Sequence, residues 1–181
     1  MRFHRVVCLF IFLLCVSSRD LVSQAPVVPS SDPESLFTSP DPRLNANKQV
    51  VMHIVRDLLE ANHWVEADKY LTERYVQHNP YVPSGLAAVK SFFSFRPATP
   101  IPQRMKTPVV AVTAENDLVV VSFVREFSDP RNPSQCYTTT WFDMWRIVNG
   151  KADEHWDAAT IAPPAQPPVN LPCHNSQGSG R

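Results

Sequence analysis

The dipeptide Asn149-Gly150 constrains this chain more than any other feature. It suits the two-residue type I′ turn, whose central residues both need positive φ. It separates residues 137–148, rich in threonine and aromatic side chains, from a return segment over residues 151–160. Residues 109–112 and 118–127 are also strand-like, and Ala114-Glu115-Asn116-Asp117 joins them. Residues 97–108, with four prolines, and residues 128–135 read as loops. The second half of the chain is therefore an antiparallel meander.

The first half has a helical period. Val50, Val51, Ile54, Val55, Leu58 and Leu59 fall on one face, and charged residues occupy the others. Asn45 or Asn47 is the expected cap. Trp64, Ala67, Tyr70 and Leu71 share the face of a second, shorter helix. The run Tyr75-Val76-Gln77-His78-Asn79-Pro80 is extended and ends at its proline. Ser84 then caps a third helix that buries Leu86, Val89 and Phe93. Helices followed by antiparallel strands define an α+β domain, with the helices covering one sheet face.

The ends differ from this middle. Arg2 and Arg5 precede an eleven-residue apolar run over residues 6–16, and Val16-Ser17-Ser18 offers a cleavage site. This is the layout of a signal peptide over residues 1–18, and it predicts a secreted or extracytoplasmic protein. The run is shorter than the ~20 residues of a spanning helix, so no stable membrane insertion is expected after cleavage. Residues 19–43 are rich in proline and serine and read as a linker or an arm ordered on contact. Residues 162–181 form a similar tail, leaving a folded domain over residues 44–161. Lysine plus arginine equals aspartate plus glutamate, 17 against 17, so no basic face points to nucleic acid. Cleavage would remove two of the four cysteines, leaving Cys136 and Cys173 to pair in an oxidising compartment.

Alternation along the Asn149-Gly150 hairpin assigns side chains to faces. An unbroken register pairs Arg146 with Asp153 and Asp143 with Trp156. It places Trp141, Asp143, Trp145, Ile147, Ala152, Glu154 and Trp156 on the more aromatic, helix-covered side. Phe142, Met144, Arg146, Asp153, His155 and Asp157 then face outward. An exposed Phe142 and Met144 there would suit a homodimer interface. Asp143 would be a carboxylate among tryptophans, where burial raises its pKa and suits it to general acid or base work. The alternative is a structural carboxylate satisfied by a tryptophan or tyrosine donor. His155, Asp157 and an approaching His78 could hold a metal, but H-x-D is common by chance and no metal is expected. No phosphate loop, dinucleotide fingerprint or nucleophile elbow occurs.

Three segments taken together resemble the SnoaL-like, nuclear transport factor two-like family of polyketide cyclases and relatives. They are residues 75–80 (YVQHNP), residues 115–121 (ENDLVVV), and residues 143–151 (DMWRIVNGK) running into Glu154-His155-Trp156-Asp157. The likeness covers roughly residues 45–160. It implies a cone-shaped α+β barrel, with three N-terminal helices packed on a curved antiparallel sheet, usually as a homodimer. The cone would hold a small apolar or cyclic ligand. It also implies an acid/base role for Asp143, with His78 or Tyr75 donating to the substrate oxygen and no metal or cofactor. By the resemblance Tyr75, His78 and Trp156 become pocket residues; Trp141 and Trp145 of the aromatic face, with His155 and Asp157, complete the expected ligand-binding set. The expected function is a cofactor-free cyclase, isomerase or lyase acting on a carbonyl compound. The alternative is a non-catalytic binding or dimeric scaffold protein of the same fold.

Overall fold

A computed structural model describes residues 24–161. Helix α1 (Pro42–His53) begins with Pro42 in its first turn, and the Asp41 carboxylate accepts from the Leu44 N–H at 2.9 Å. The cap is thus Asp41, not Asn45 or Asn47, because Asp-Pro starts the helix before the apolar period begins. Residues Ile54–Glu60 continue the helix as a π-helical stretch, in which the Ala61 N–H reaches back to the Arg56 carbonyl. The expected second helix is a 3₁₀ segment, Trp64–Lys69. Tyr70 and Leu71 leave it, and Leu71 starts strand β1 (Leu71–Gln77). Helix α2 (Leu86–Phe93) follows Gly85 at φ 95°. Ser84 does not cap it; its hydroxyl accepts from the Gln77 N–H instead.

Strands β2 (Val109–Glu115), β3 (Leu118–Asp129), β4 (Asn132–Val148) and β5 (Lys151–Asp157) form the meander. The expected loop over residues 128–135 is mostly strand, because β3 and β4 stay paired to Asp129 and Asn132. Asn149 and Gly150 have φ of 50° and 76°, as a type I′ turn requires. The sheet order is β1-β5-β4-β3-β2, with β1 parallel to β5 and the remaining pairs antiparallel. The fold is therefore α+β, with helices on a five-stranded sheet. Two expectations need correction: β1 makes the sheet mixed rather than antiparallel, and the sheet is open rather than a closed barrel.

Val51, Ile54, Val55 and Leu58 of the long helix pack with Val119, Val121, Trp145 and Ile147 of the sheet to form the core. The N-terminal arm joins this core. Residues Glu34–Phe37 form a 3₁₀ turn, and Phe37 is fully buried. The Lys48 ammonium donates to the carbonyls of Leu36 and Thr38, and the Ser30 N–H donates to the Val109 carbonyl. Of the two readings of this segment, residues 30–38 follow the contact-ordered arm. Cys136 of β4 is disulfide-bonded; Cys173, its expected partner, lies outside the described residues, as do residues 1–18 and the tail from 162.

Candidate functional site

A β-bulge decides which side chains enter the space between helices and sheet. The β4–β5 register runs Val148↔Lys151, Ile147↔Ala152, then Arg146↔Glu154. Asp153 is thus an extra residue on β5, which reverses the facing of everything beyond it. Trp145 now lies opposite His155, and Asp143 opposite Asp157. Asp143 and Trp145 keep their expected inward facing, with Trp141 beside them. His155 and Asp157 turn inward, correcting the outward facing that an unbroken register gave them. Glu154 and Trp156 turn outward, correcting theirs.

His78 is also outside. Its ring stacks on Trp156, with centroids 4.8 Å apart, and its Nε2 lies 3.1 Å from Glu154 Oε1. Arg146 lies over the other ring of this stack, 5.5 Å from the centre of Trp156, and donates to Glu154 at 3.0 Å. Arg146 pairs with Glu154 and Asp117 rather than Asp153, whose carboxylate is taken by Thr72 and Arg74 of β1. The expected donor role of His78 and pocket role of Trp156 fail for one reason: both side chains leave the sheet on the far side. Tyr75, Gln77 and Asn79 point the other way, as a period of two demands.

The inward side chains bound a cavity of about 520 Å³. Ile54, Val55 and Leu59 of the helix, Trp64 and Phe93 give one wall. Phe123, Trp141 and Trp145 give the other, with Tyr75, Gln77, Asn79, Asp143, His155 and Asp157 supplying polar groups. Such a volume, mostly apolar with a few convergent polar groups, is typical of small-molecule sites.

Asp143 is 8 % exposed. Burial pushes its pKa up to about 7, reinforced by the Asp157 charge. The Trp141 N–H, donating to Oδ1 at 2.7 Å, and the charge of Arg125 only partly offset this. His155, 7 % exposed, has its pKa pushed down to about 4 by burial and is neutral near pH 7. Its Nδ1 lies 2.8 Å from Gln77 Oε1, an acceptor, so Nδ1 carries the proton. Nε2 therefore presents a lone pair to the cavity, 3.9 Å from Asp143 Oδ1. Asp157 accepts from Asn79 Nδ2 at 2.6 Å and from the Ala159 N–H at 2.8 Å. Tyr75 Oη accepts from Trp145 Nε1 at 3.2 Å, and burial raises its pKa. Its own hydroxyl hydrogen has no acceptor among the described residues and is free for a ligand.

Asp143, His155 and Asp157 each offer one ligand atom, all within 4.8 Å of one another. One imidazole and two carboxylates form a donor set that divalent ions accept. Of the three residues that could have held a metal by sequence, where none was expected, His155 and Asp157 come together with Asp143, and His78 stays on the far side. Sequence reasoning missed Gln77, Asn79, Phe123 and Arg125. The signal for the first two was present, since they alternate with Tyr75 in one strand, whereas His78 does not.

The SnoaL-like domain profile matches residues 53–155, more than half of the chain, and the protein belongs to the SnoaL-like family. Among curated proteins none matches the chain. Similar solved structures include a polyketide cyclase-like protein from Acidithiobacillus ferrooxidans, 17% identical, covering 66% of this chain and 89% of its own, with a TM-score of 0.44. A nuclear transport factor two-like protein of unknown function from Burkholderia pseudomallei is 18% identical, covering 64% and 91%, with a TM-score of 0.41. An LEH-like epoxide hydrolase of M. tuberculosis is 11% identical, covering 62% and 80%, with a TM-score of 0.42.

Proposed function

We propose that this SnoaL-like protein binds a small apolar or cyclic carbonyl compound and exchanges a proton with it through Asp143, as a cofactor-free cyclase, isomerase or lyase would. One observation carries the reading: a carboxyl group with a pKa near 7 on the wall of a 520 Å³ apolar cavity. A base with its pKa near the working pH balances ionised fraction against proton affinity, which trade off against each other. Ionised Asp143 takes a proton from the carbon next to the carbonyl. The C–H electron pair moves into the enolate, whose oxygen accepts the free hydroxyl hydrogen of Tyr75. Neutral His155, with its own pKa pushed down to about 4, leaves that proton on Asp143, ready for return to the enolate.

Deuterium exchange tests this. Indan-2-one in D₂O at pH 7.5, followed by proton NMR, should lose its α-protons faster with the protein than without, and Asp143→Asn should abolish the acceleration. Binding of the ketone without accelerated exchange would defeat the catalytic reading. It would favour a binding protein, which the Trp141–Asp143 hydrogen bond also supports, because a satisfied carboxylate needs no chemistry to explain it.

The signal-like N-terminus supports secretion, tested by N-terminal sequencing of exported protein, with Arg19 near the expected start. The outer sheet face supports a homodimer through Phe142, 51 % exposed, and Met144. Sedimentation as a monomer at micromolar concentration would overturn that interface.

A further inference from the structure

Proton exchange accounts for the carboxylates of the cavity and leaves two cations unexplained. Arg125 of β3 and Arg96, just beyond α2, both line it. Arg56, Arg74, Arg131 and Arg146 each hold a carboxylate of the protein. Arg96 and Arg125 hold none among the described residues; each guanidinium lies over a ring instead. Arg125 is 5.7 Å from the centre of Trp141, and Arg96 is 5.2 Å from that of Phe95. A guanidinium against an aromatic face is held in orientation while its N–H edge stays free. That edge matches a carboxylate, which it binds through two parallel hydrogen bonds.

The rest of the cavity limits where an anion could sit. Asp157 would repel one placed beside it, as Asp143 would in its ionised form. Trp145, Phe123 and Ile54 favour an apolar body. Trp141 connects the two regions, because its ring carries Arg125 and its N–H holds Asp143.

We infer that the ligand is an apolar, ring-sized molecule bearing one carboxylate, which Arg125 receives with Arg96 contributing from the helical wall. The apolar body then extends past Trp141 toward Asp143. This rests on the reading of the cavity as a ligand site and narrows its substrate class from carbonyl compounds in general to acidic ones.

Calorimetric titration of the full protein with 2-naphthoate and 2-naphthamide at pH 6.0 tests it, since the two probes share a shape and differ in charge. The acid should bind at least tenfold tighter. Raising the salt from 50 to 500 mM should weaken the acid and leave the amide unchanged. Arg125→Gln should remove most of the preference without altering amide affinity. Arg125→Lys should keep a salt-sensitive remnant, because it retains the charge and loses the fork. Equal affinities, or a preference for the amide, would overturn the inference and leave the cavity reading standing. If neither probe binds to a protein shown folded by circular dichroism, the cavity reading fails with it.

Discussion

Replacing Asp143 by asparagine should make the protein more stable, and more so as the pH rises. The ordinary carboxyl value of 3.8 is raised to about 7 in the fold, mainly by burial. At 1.36 kcal/mol for each pH unit, the ionised native state bears a cost of about 4 kcal/mol. The sign follows from linkage. Below pH 4 the carboxyl is protonated in both folded and unfolded chains, and the cost is absent. Between pH 4 and 7 the unfolded chain ionises first, so native stability falls. Above pH 7 both forms are ionised and the full cost applies. Asparagine keeps the shape and its Oδ1 can still accept from Trp141 Nε1, so the variant loses only the charge. Urea unfolding followed by tryptophan fluorescence at pH 4, 6 and 8 measures the difference. The gain should grow from near zero to as much as ~4 kcal/mol. A difference independent of pH, or a variant less stable at pH 8, would refute the claim that Asp143 is desolvated. A stabilising change that removes a proton-transfer group is also the usual sign of a site built at the expense of stability.

Three further outcomes are expected. His155, depressed from 6.5 to about 4, loses stability as pH falls through that window; relative to the wild type, His155→Gln should gain about 3 kcal/mol between pH 6.5 and 4, measured by the same unfolding series. In the wild type the opposite slopes of Asp143 and His155 partly cancel, so the single variants should show steeper profiles than the parent. Phe37→Ala should cost about 3–5 kcal/mol, because the ring is fully buried; a loss below ~1 kcal/mol would mean the arm is not part of the core. Non-reducing peptide mapping should recover Cys136 linked to Cys173, and reduction should lower stability by roughly 3–4 kcal/mol; a different partner for Cys136 would end that pairing.

Elements governed by local rules were legible in the chain. The Asn149-Gly150 turn needs only the positive φ that these residues tolerate, and it formed where expected. The apolar face from Val51 to Leu58 was set by a period that any helix must obey, although its last turns relax into a π-helical stretch. The SnoaL-like segments were likewise readable, since family likeness resides in the order and spacing of residues. Trp141, Asp143 and Trp145 were placed correctly because β4 pairs with β3 without interruption along that stretch.

What failed depended on a single inserted position. The bulge at Asp153 reverses the facing of four residues, because alternation has a period of two and one extra residue inverts it. No local propensity marks Asp153 as the bulged residue. Its carboxylate is drawn to Thr72 and Arg74 on β1, a strand some eighty positions earlier whose parallel pairing with β5 is a tertiary event. The sequence by itself therefore determined the class of fold, the family, the hairpin and the aspartate on the aromatic face. Only the tertiary structure decided that His155 and Asp157, rather than His78 and Trp156, stand beside that aspartate. The physical reason is that register is fixed by long-range pairing and burial, which no window of neighbouring residues contains.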